Sequence, residues 1–563
     1  MIFKSNIPDQ EIPAVDLATY VINEGKRVTK TLPNPDNFAL YDEDTHQSLK
    51  IHEVEEQSSK LASGLLNKMN FCTDDVALVF SSNALNYTIA MLGTLMAGGI
   101  ITLANPTYKP RELAFQLKDS KSKYIFTKLE FIDTVLEAIK LSEMQISNKN
   151  IILIDHNQNY SGPFNSIDRI YSNQPFTRFT INSLEQAKKK TAFLPYSSGT
   201  TGFPKGVILS HLNSVANTIQ MSIPENLDGW YSDRSVTHRY LAVLPYYHIY
   251  GLAIITCVGL ANAIGIVSLG KFELERYMQT VQKHKITLAH LVPPIINRIV
   301  NDPIIDKYDF SSVKRVMTAA SPLSEDLAKR LIEKFNVKIV QIYGLTETSP
   351  AVTVSRIGSW ERRSNGALTC NVTAKVIDEH GNLLKANELG EMCFKGPNIM
   401  NGYLNNPEST KITIDEDGYL HSGDIGYIDE SSNLYLVERK KELIKFKGFQ
   451  VAPAEIESLL IGNEYVFECA VIGVYNEEQA TEVPKAYISL KPQYRNFTEE
   501  EKKEKANEII EWLSAQVAPH KRLRGGITFV EEIPKTLSGK ILRRNVRDIE
   551  NAKQAISKQT PKL

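Results

Sequence analysis

Cysteine is scarce in this chain. Cys72, Cys257, Cys370, Cys393 and Cys469 are scattered, odd in number and form no C-x-x-C pair. That usage argues against a disulfide-built scaffold and a structural zinc site, and it fits reduced thiols inside a cell. Net charge is nearly absent as well: 64 Lys and Arg against 65 Asp and Glu leave −1. So balanced a chain has no field dedicated to nucleic acid or to an anionic membrane. Long apolar runs are few. The N-terminal Met1-Ile-Phe-Lys-Ser-Asn6 passes straight into polar and acidic sequence, without the apolar stretch of a signal peptide. The longest charge-free stretch, Leu252 to Gly270, has the length of a spanning helix but is interrupted by Thr256, Gly259, Asn262 and Gly265. It reads better as a buried helix followed by a buried strand, Ile264-Gly-Ile-Val-Ser-Leu269, so no integral membrane segment is expected.

What is present in quantity is ordinary globular material, 42% hydrophobic and 23% charged. At 563 residues the chain exceeds one compact core and calls for several domains. Its most informative stretch is Ser197-Ser198-Gly199-Thr200-Thr201-Gly202-Phe203-Pro204-Lys205-Gly206, which packs four hydroxyls, three glycines and one lysine into ten residues. Apolar runs flank it, Thr191 to Pro195 before and Val207 to Leu209 after, so it reads as strand, loop, strand. Glycines let backbone N–H groups approach an anion, hydroxyls add donors and Lys205 adds charge, which suits phosphate oxygens better than a bland polar turn. No Ser or Thr follows Lys205, and the glycine spacing differs from G-x-x-x-x-G-K-[ST], so this is not a P-loop.

Strand and helix patterns alternate through much of the chain. Asp75 to Phe80, Asn83 to Met96 and Gly99 to Leu103 read as strand, helix, strand. The pattern recurs at Tyr124 to Thr127, 130–141 and Ile151 to Asp155, and again around Leu241, Thr287, Val313 and Lys338. Such alternation predicts α/β architecture with parallel sheets flanked by helices. From about 366 to 437, short alternating strands and turns predict a small antiparallel β unit. After Arg439 the texture becomes α+β. Thr498 and Glu501 predict a capping box opening a helix over 498–516, with Ile509, Trp512, Leu513 and Val517 on its buried side. The domain expectation is therefore a large N-terminal unit, 1–438, and a smaller one, 439–563.

Five further segments carry chemistry-bearing residues. Pro245-Tyr-Tyr-His-Ile-Tyr-Gly251 sets His248 among aromatics, and a satisfied core histidine would be its default alone. Gln341-Ile-Tyr-Gly-Leu-Thr-Glu347 puts Thr346 and Glu347 just past a strand, where α/β proteins place ligand groups. Tyr419-Leu-His-Ser-Gly-Asp-Ile-Gly426 offers Asp424, expected on a turn and suited to accepting from sugar hydroxyls. Glu438 to Gln450 is basic and glycine-punctuated, and Pro534-Lys-Thr-Leu-Ser-Gly-Lys-Ile-Leu-Arg543 presents Lys540 on a tight Ser-Gly turn.

In this order, and with the opening loop, these segments resemble the adenylate-forming superfamily of acyl-CoA synthetases, adenylation domains and luciferases, over roughly residues 40–545. The resemblance is closest to the 4-coumarate–CoA ligase branch, through Leu291-Val-Pro-Pro-Ile-Ile296, Asp306 to Val313, Leu443 to Glu455 and the Lys540 motif. It implies that a carboxylate attacks the α-phosphate of MgATP to give acyl-AMP, and that CoA then expels AMP. By the same resemblance, Ser197, Ser198, Gly199, Thr200, Thr201 and Lys205 would hold the β- and γ-phosphates, with Gln341 and Thr346 in the nucleotide site. Glu347 would bind Mg²⁺, Asp424 and Arg439 the ribose, and Lys540 would bridge the carboxylate and the α-phosphate. His248 would flank the acyl group, in a pocket with Tyr247, Ala319, Ile342 and Lys441, the last at a hinge. The small domain would be mobile. After it rotates, Lys445 and Gln450 would reach the acyl-adenylate, and Lys447, Gly448 and Lys271 would meet CoA.

One departure stands out: Ile342 occupies a position where the branch commonly has glycine, which puts a hydroxycinnamate in question as substrate though not the chemistry. Medium- or long-chain fatty acids are the alternative. A luciferase-like monooxygenase shares the adenylation step, and a carrier-loading module would need a separate partner, since no Gly-x-Asp-Ser-Leu segment is present. The last three residues, Pro561-Lys562-Leu563, resemble the S-K-L peroxisomal address with Pro replacing the small residue. A peroxisomal location, with an import receptor as partner, is the expectation, and the cytoplasm is the alternative.

Overall fold

The computed structural model describes every residue except 33, 35, 36, 157, 158, 198–203, 232, 234, 320–322, 357–363, 448, 478, 480, 537, 538 and 560–563, and describes 225, 226, 450 and 554–559 by backbone alone. Strand and helix alternate as the apolar pattern predicts. Val76–Phe80 is buried at every position, as a strand covered on both faces must be. It pairs in parallel with Ile100–Ala104 and with Tyr124–Thr127. These strands are the centre of an eight-stranded sheet that also holds Thr191–Ser197 and Lys205–Ser210.

A nine-stranded sheet is built the same way. Lys338–Gly344, Arg315–Thr318, Leu288–Leu291, Arg239–Ala242 and Gly265–Ser268 run side by side in parallel. Thus the ends of strands from two largely parallel sheets carry loops of the kind where α/β proteins place ligand groups. The architecture is α/β, with a large N-terminal domain and a smaller C-terminal one.

The antiparallel unit expected from 366 has five strands, and its edge is the N-terminal Ile2–Lys4, paired with Thr373–Ile377. Leu420–Ile428 and Leu434–Arg439 close its other side. Two expectations change here. Asp424 lies within a strand, not on a turn; Gly423 takes a positive φ of 68° and the ladder shifts register just after, which absorbs the irregularity without ending the strand. Arg439 pairs with Asp424 in this sheet, so the residue assigned to open the second unit belongs by pairing to the first.

Leu252 to Gly270 forms a buried helix and then a buried strand, as expected, but the helix is wider. Tyr250–Val258 is a π-type helix, followed by Gly259–Ala261 and Gly265–Ser268. Gly251 lies in its first turn, where a Cβ would lie 2.2 Å from the Pro245 carbonyl oxygen, so no side chain fits. No described helix is long and apolar enough to cross a membrane.

The C-terminal part has its own apolar core, including Ile444, Phe446, Val451, Leu460, Ile488 and Leu513. It contains the hairpin of Ile444–Phe446 with Phe449–Val451, and a three-stranded sheet of Val466–Asn476, Thr481–Leu490 and Ile527–Phe529. Helix Glu499–Ser514 starts with the expected capping box: Thr498 accepts from the Glu501 amide, and the Glu501 carboxylate accepts from the Thr498 amide at 2.7 Å.

Candidate active site

A cavity of about 1250 Å³ opens where the two domains meet. The strand ends that flank the Ser/Thr/Gly-rich stretch line it: Ser197 closes one strand and Lys205, its direct cross-strand partner, opens the next. Lys205 Nζ donates to Ser409 Oγ at 3.0 Å and sits 4.9 Å above the Tyr403 ring. Ser198, Gly199, Thr200 and Thr201 lie outside the described residues.

Strand Lys338–Gly344 brings Gln341 and Ile342 to the same cavity, and the short turn Thr346–Thr348 that follows brings Thr346 and Glu347. Glu347 Oε1 accepts from the Tyr403 hydroxyl at 2.9 Å. Asp424 faces them from the antiparallel sheet, only 3% exposed. Its Oδ2 accepts from the Tyr343 hydroxyl at 2.7 Å. Its Oδ1 lies 3.1 Å from Arg439 Nε, an ion pair without hydrogen-bond alignment, so among the described residues that buried oxygen accepts no hydrogen bond. Burial pushes the Asp424 carboxyl up, and Arg439, Tyr343 and Lys540 pull it back. A buried orphan acceptor of this kind suits an arriving hydroxyl donor.

Lys540 reaches this site from the C-terminal domain. Its turn is closed by the Thr536 amide donating to the Lys540 carbonyl at 2.9 Å, and by the Lys540 amide donating to Thr536 Oγ1 at 3.0 Å. Gly539 has φ +83°, and a Cβ there would sit 2.9 Å from Pro294 Cδ, so the turn can dock on the larger domain only as glycine. Burial, and then Arg439, lower the Lys540 pKa, while Glu442, Asp424 and Glu347 support its charge.

Tyr247, His248, Tyr250, Ala319 and Lys441, four of them expected around the acyl group, also line the cavity. Packing round His248 pushes its pKa down to about 4, and Lys540 adds to the effect. His248 Nδ1 accepts from the Tyr250 amide at 3.3 Å, which puts the single proton of the neutral ring on Nε2.

The residues expected for the thioester step are not brought together here. Lys271 is 82% exposed and paired with Glu273 at 3.3 Å. Lys445 and Lys447 are exposed on the C-terminal hairpin, their amides donating to Glu482 at 2.8 Å and to Thr481 at 2.9 Å. Gly448 and the Gln450 side chain lie outside the described residues. Two residues that sequence reasoning missed are Tyr343 and Tyr403, whose phenols orient Asp424 and Glu347. Tyr343 sat inside a motif already singled out; Tyr403 carries no local signal.

The family model "AMP-binding enzyme" matches residues 30–404, and "AMP-binding enzyme C-terminal domain" matches 455–540. The chain belongs to the AMP-binding enzyme family. Among curated relatives, it is 37% identical over 555 residues to 4-coumarate–CoA ligase 1 of Petroselinum crispum, covering 97% of this chain and 96% of that one. It is also 37% identical over 537 residues to probable 4-coumarate–CoA ligase 1 of Dictyostelium discoideum, covering 92% and 93%. This family member is an AMP-forming acid–CoA ligase. Its fold is that of solved family structures. An anthranilate CoA ligase, AuaEII, in complex with anthranoyl-AMP, superposes with TM-score 0.81 at 22% identity, covering 98% of this chain and 99% of that one. The o-succinylbenzoate CoA synthetase MenE of Bacillus subtilis, in complex with OSB-AMP, gives 0.76 at 23% identity, covering 94% and 98%.

Proposed function

We propose that this ligase activates an aryl-propenoic acid of the 4-coumarate type. The carrying observation is near-full-length identity to relatives that bear that name, 37% across 97% of the chain. In the first half-reaction a carboxylate oxygen bonds to the α-phosphorus of ATP, and the bond from that phosphorus to pyrophosphate breaks. Lys540 stands between the two anions that must meet, where a preorganised cation is worth several kcal/mol of barrier, about the size of an oxyanion-hole effect. Ser197 and Lys205 hold the outer phosphates, Thr346 the inner one, and Asp424 with Arg439 takes the ribose hydroxyls through the orphan oxygen. In the second half-reaction the CoA sulfur bonds to the acyl carbon, the thiol proton leaves, and AMP departs with the acyl oxygen. His248, neutral at physiological pH, flanks that carbon without competing for the phosphates.

Glu347 fits a Mg²⁺ site of the usual kind, one carboxylate beside substrate phosphates. Bound there, the ion would neutralise phosphate charge. Lys271, Lys447 and Gly448 are proposed to meet CoA, and Lys445 and Gln450 the acyl-adenylate, once the C-terminal domain has turned.

Ile342 favours a second reading. It lines the acyl side, and a flexible medium-chain fatty acid passes a β-branched wall more readily than a substituted ring does. Acid-dependent ATP–pyrophosphate exchange with hydroxycinnamates and with medium- and long-chain fatty acids tests both. The highest kcat/KM should fall to a hydroxycinnamate, and a clear preference for alkyl acids would replace the first reading with the second. The C-terminal Pro561-Lys562-Leu563, outside the described residues, is proposed as a peroxisomal address. A fluorescent protein carrying the last ten residues should enter peroxisomes, and a diffuse cytosolic signal would sink that proposal.

A further inference from the structure

Behind the acyl wall lies a polar pair with no part in the steps above. Tyr250 lines the cavity, and its Oη is 3.0 Å from Nδ1 of His290 and 3.4 Å from the Met317 carbonyl oxygen. His290 lies on strand Leu288–Leu291, in register with Met317, which is in register with Val340. Side chains alternate along a strand, so these three share one sheet face with Ile342, two residues further on. Ile342 and Tyr250 face the cavity, while His290, 0% exposed, lies beneath them. The Tyr240 ring meets the His290 ring nearly edge-on, with centroids 4.5 Å apart.

Tyr250 Oη and His290 Nδ1 share one hydrogen bond, and the His290 tautomer decides which of them donates. His290 Nε2 has no hydrogen-bond partner among the described residues. A lone pair there is a milder orphan than a buried N–H, which favours the proton on Nδ1, donating to Tyr250 Oη and leaving the Tyr250 O–H to the Met317 carbonyl. Burial holds the ring neutral, with a pKa near 3. An apolar side chain would fill this place without desolvating an imidazole. What the histidine supplies instead is one bond to a residue of the acyl cavity.

We propose that His290 is a positioning residue for acid selection, holding Tyr250 as a fixed wall of the acyl cavity. The inference rests on the acid–CoA ligase reading. Its test is acid-dependent pyrophosphate exchange with whichever acid of the panel reacts fastest. His290→Phe should raise KM for that acid about tenfold, the worth of one neutral hydrogen bond, with KM for ATP unchanged. Tyr250→Phe should give the same shift, and the double variant no more than either single one, because both remove the same bond. His290→Asn, whose amide can place an N–H where Nδ1–H stands, should restore most of the loss. Additive losses, or equal rises in KM for acid and ATP, would overturn the proposal. If the His290 variants do not fold, Tyr250→Phe decides alone: an unchanged acid KM overturns the inference and an acid-only rise supports it. Absence of exchange by the wild-type enzyme with every acid would instead overturn the ligase reading itself, and this inference with it.

Discussion

At the scale of the residue, two side chains carry the most distinct expectations. Lys540 is a cation that the C-terminal domain brings to the cavity, where Arg439, Asp424 and Glu347 all act on its charge. Lys540→Ala should cut acyl-adenylate formation about 100-fold or more, as loss of an oxyanion-type group does, yet leave most of the thioester step from supplied acyl-AMP. Burial lowers its pKa, so the charge is lost at lower pH than on an exposed lysine. Adenylation should therefore fade on the alkaline side before the thioester step does. Separate pH profiles of the two half-reactions check this, and parallel profiles would contradict it. Ile342 tests shape in place of charge. It is 6% exposed on the cavity wall, where a stiff β-branched side chain narrows the space available to a ring. Ile342→Gly should raise kcat/KM for ring-substituted cinnamates relative to medium-chain fatty acids by about tenfold, a methylene or two in a tight pocket. An unchanged ratio would remove Ile342 from acid selection.

At the scale of the element, the hairpin Ile444–Phe446 with Phe449–Val451 is the segment whose expected role and place are furthest apart. Lys447 sits at its turn with φ +47°, exposed, while Lys540 occupies the cavity. If Lys447 meets CoA as proposed, one domain orientation cannot serve both, which is the gating expected of a site assembled in turns. Lys447→Ala should slow CoA-ester formation several-fold while leaving pyrophosphate exchange near wild type. A larger defect in exchange would remove the hairpin from the thioester step. Much at this scale was legible in the sequence, for physical reasons. Val76 to Phe80 is apolar throughout because both its faces are covered, and Thr498 with Glu501 announces a helix start by a hydrogen bond that needs only local spacing. Ile2–Lys4 was not legible, since three residues with one buried side chain carry no period, and its partner lies more than 360 residues away. Asp424 was placed on a turn because Gly423 reads as one, although the strand continues through it. Thr346 and Glu347 announced themselves by standing together just past the strand that carries Gln341. Tyr403 did not, because it meets Glu347 only through the fold.

At the scale of the whole molecule, the two domains meet through a few polar and close contacts. Asn297 donates to the Phe467 carbonyl across the junction at 3.1 Å, and Gly539 packs on Pro294. Such a junction leaves cohesion to the cores, and those cores hold imidazoles that burial keeps neutral. His211 and His248 are pushed down to about 4 and His290 to about 3, by burial first in each case. In the unfolded chain each would titrate near 6.5. Above that pH neither state binds the proton and stability is unaffected. As pH falls from about 6.5 toward 4, the unfolded chain gains protons that the folded one refuses, so stability drops by as much as about 1.4 kcal/mol per pH unit for each histidine. Asp424, Glu438 and Glu457, raised by burial, take up protons in the folded state and oppose this loss at the acid end. The histidine effect should therefore be clearest just below neutrality, with Tm falling steadily from about pH 7 to about pH 5.5. His211 Nδ1 accepts from the Leu17 amide, a bond that an asparagine oxygen can replace without titrating. Burial lowers His238 and His284 as well, so His211→Asn should flatten only part of the fall, about a fifth if the five histidines contribute equally. A Tm that holds or rises on mild acidification, or a His211→Asn slope equal to wild type, would show that the buried imidazoles do not govern the acid limit of this fold.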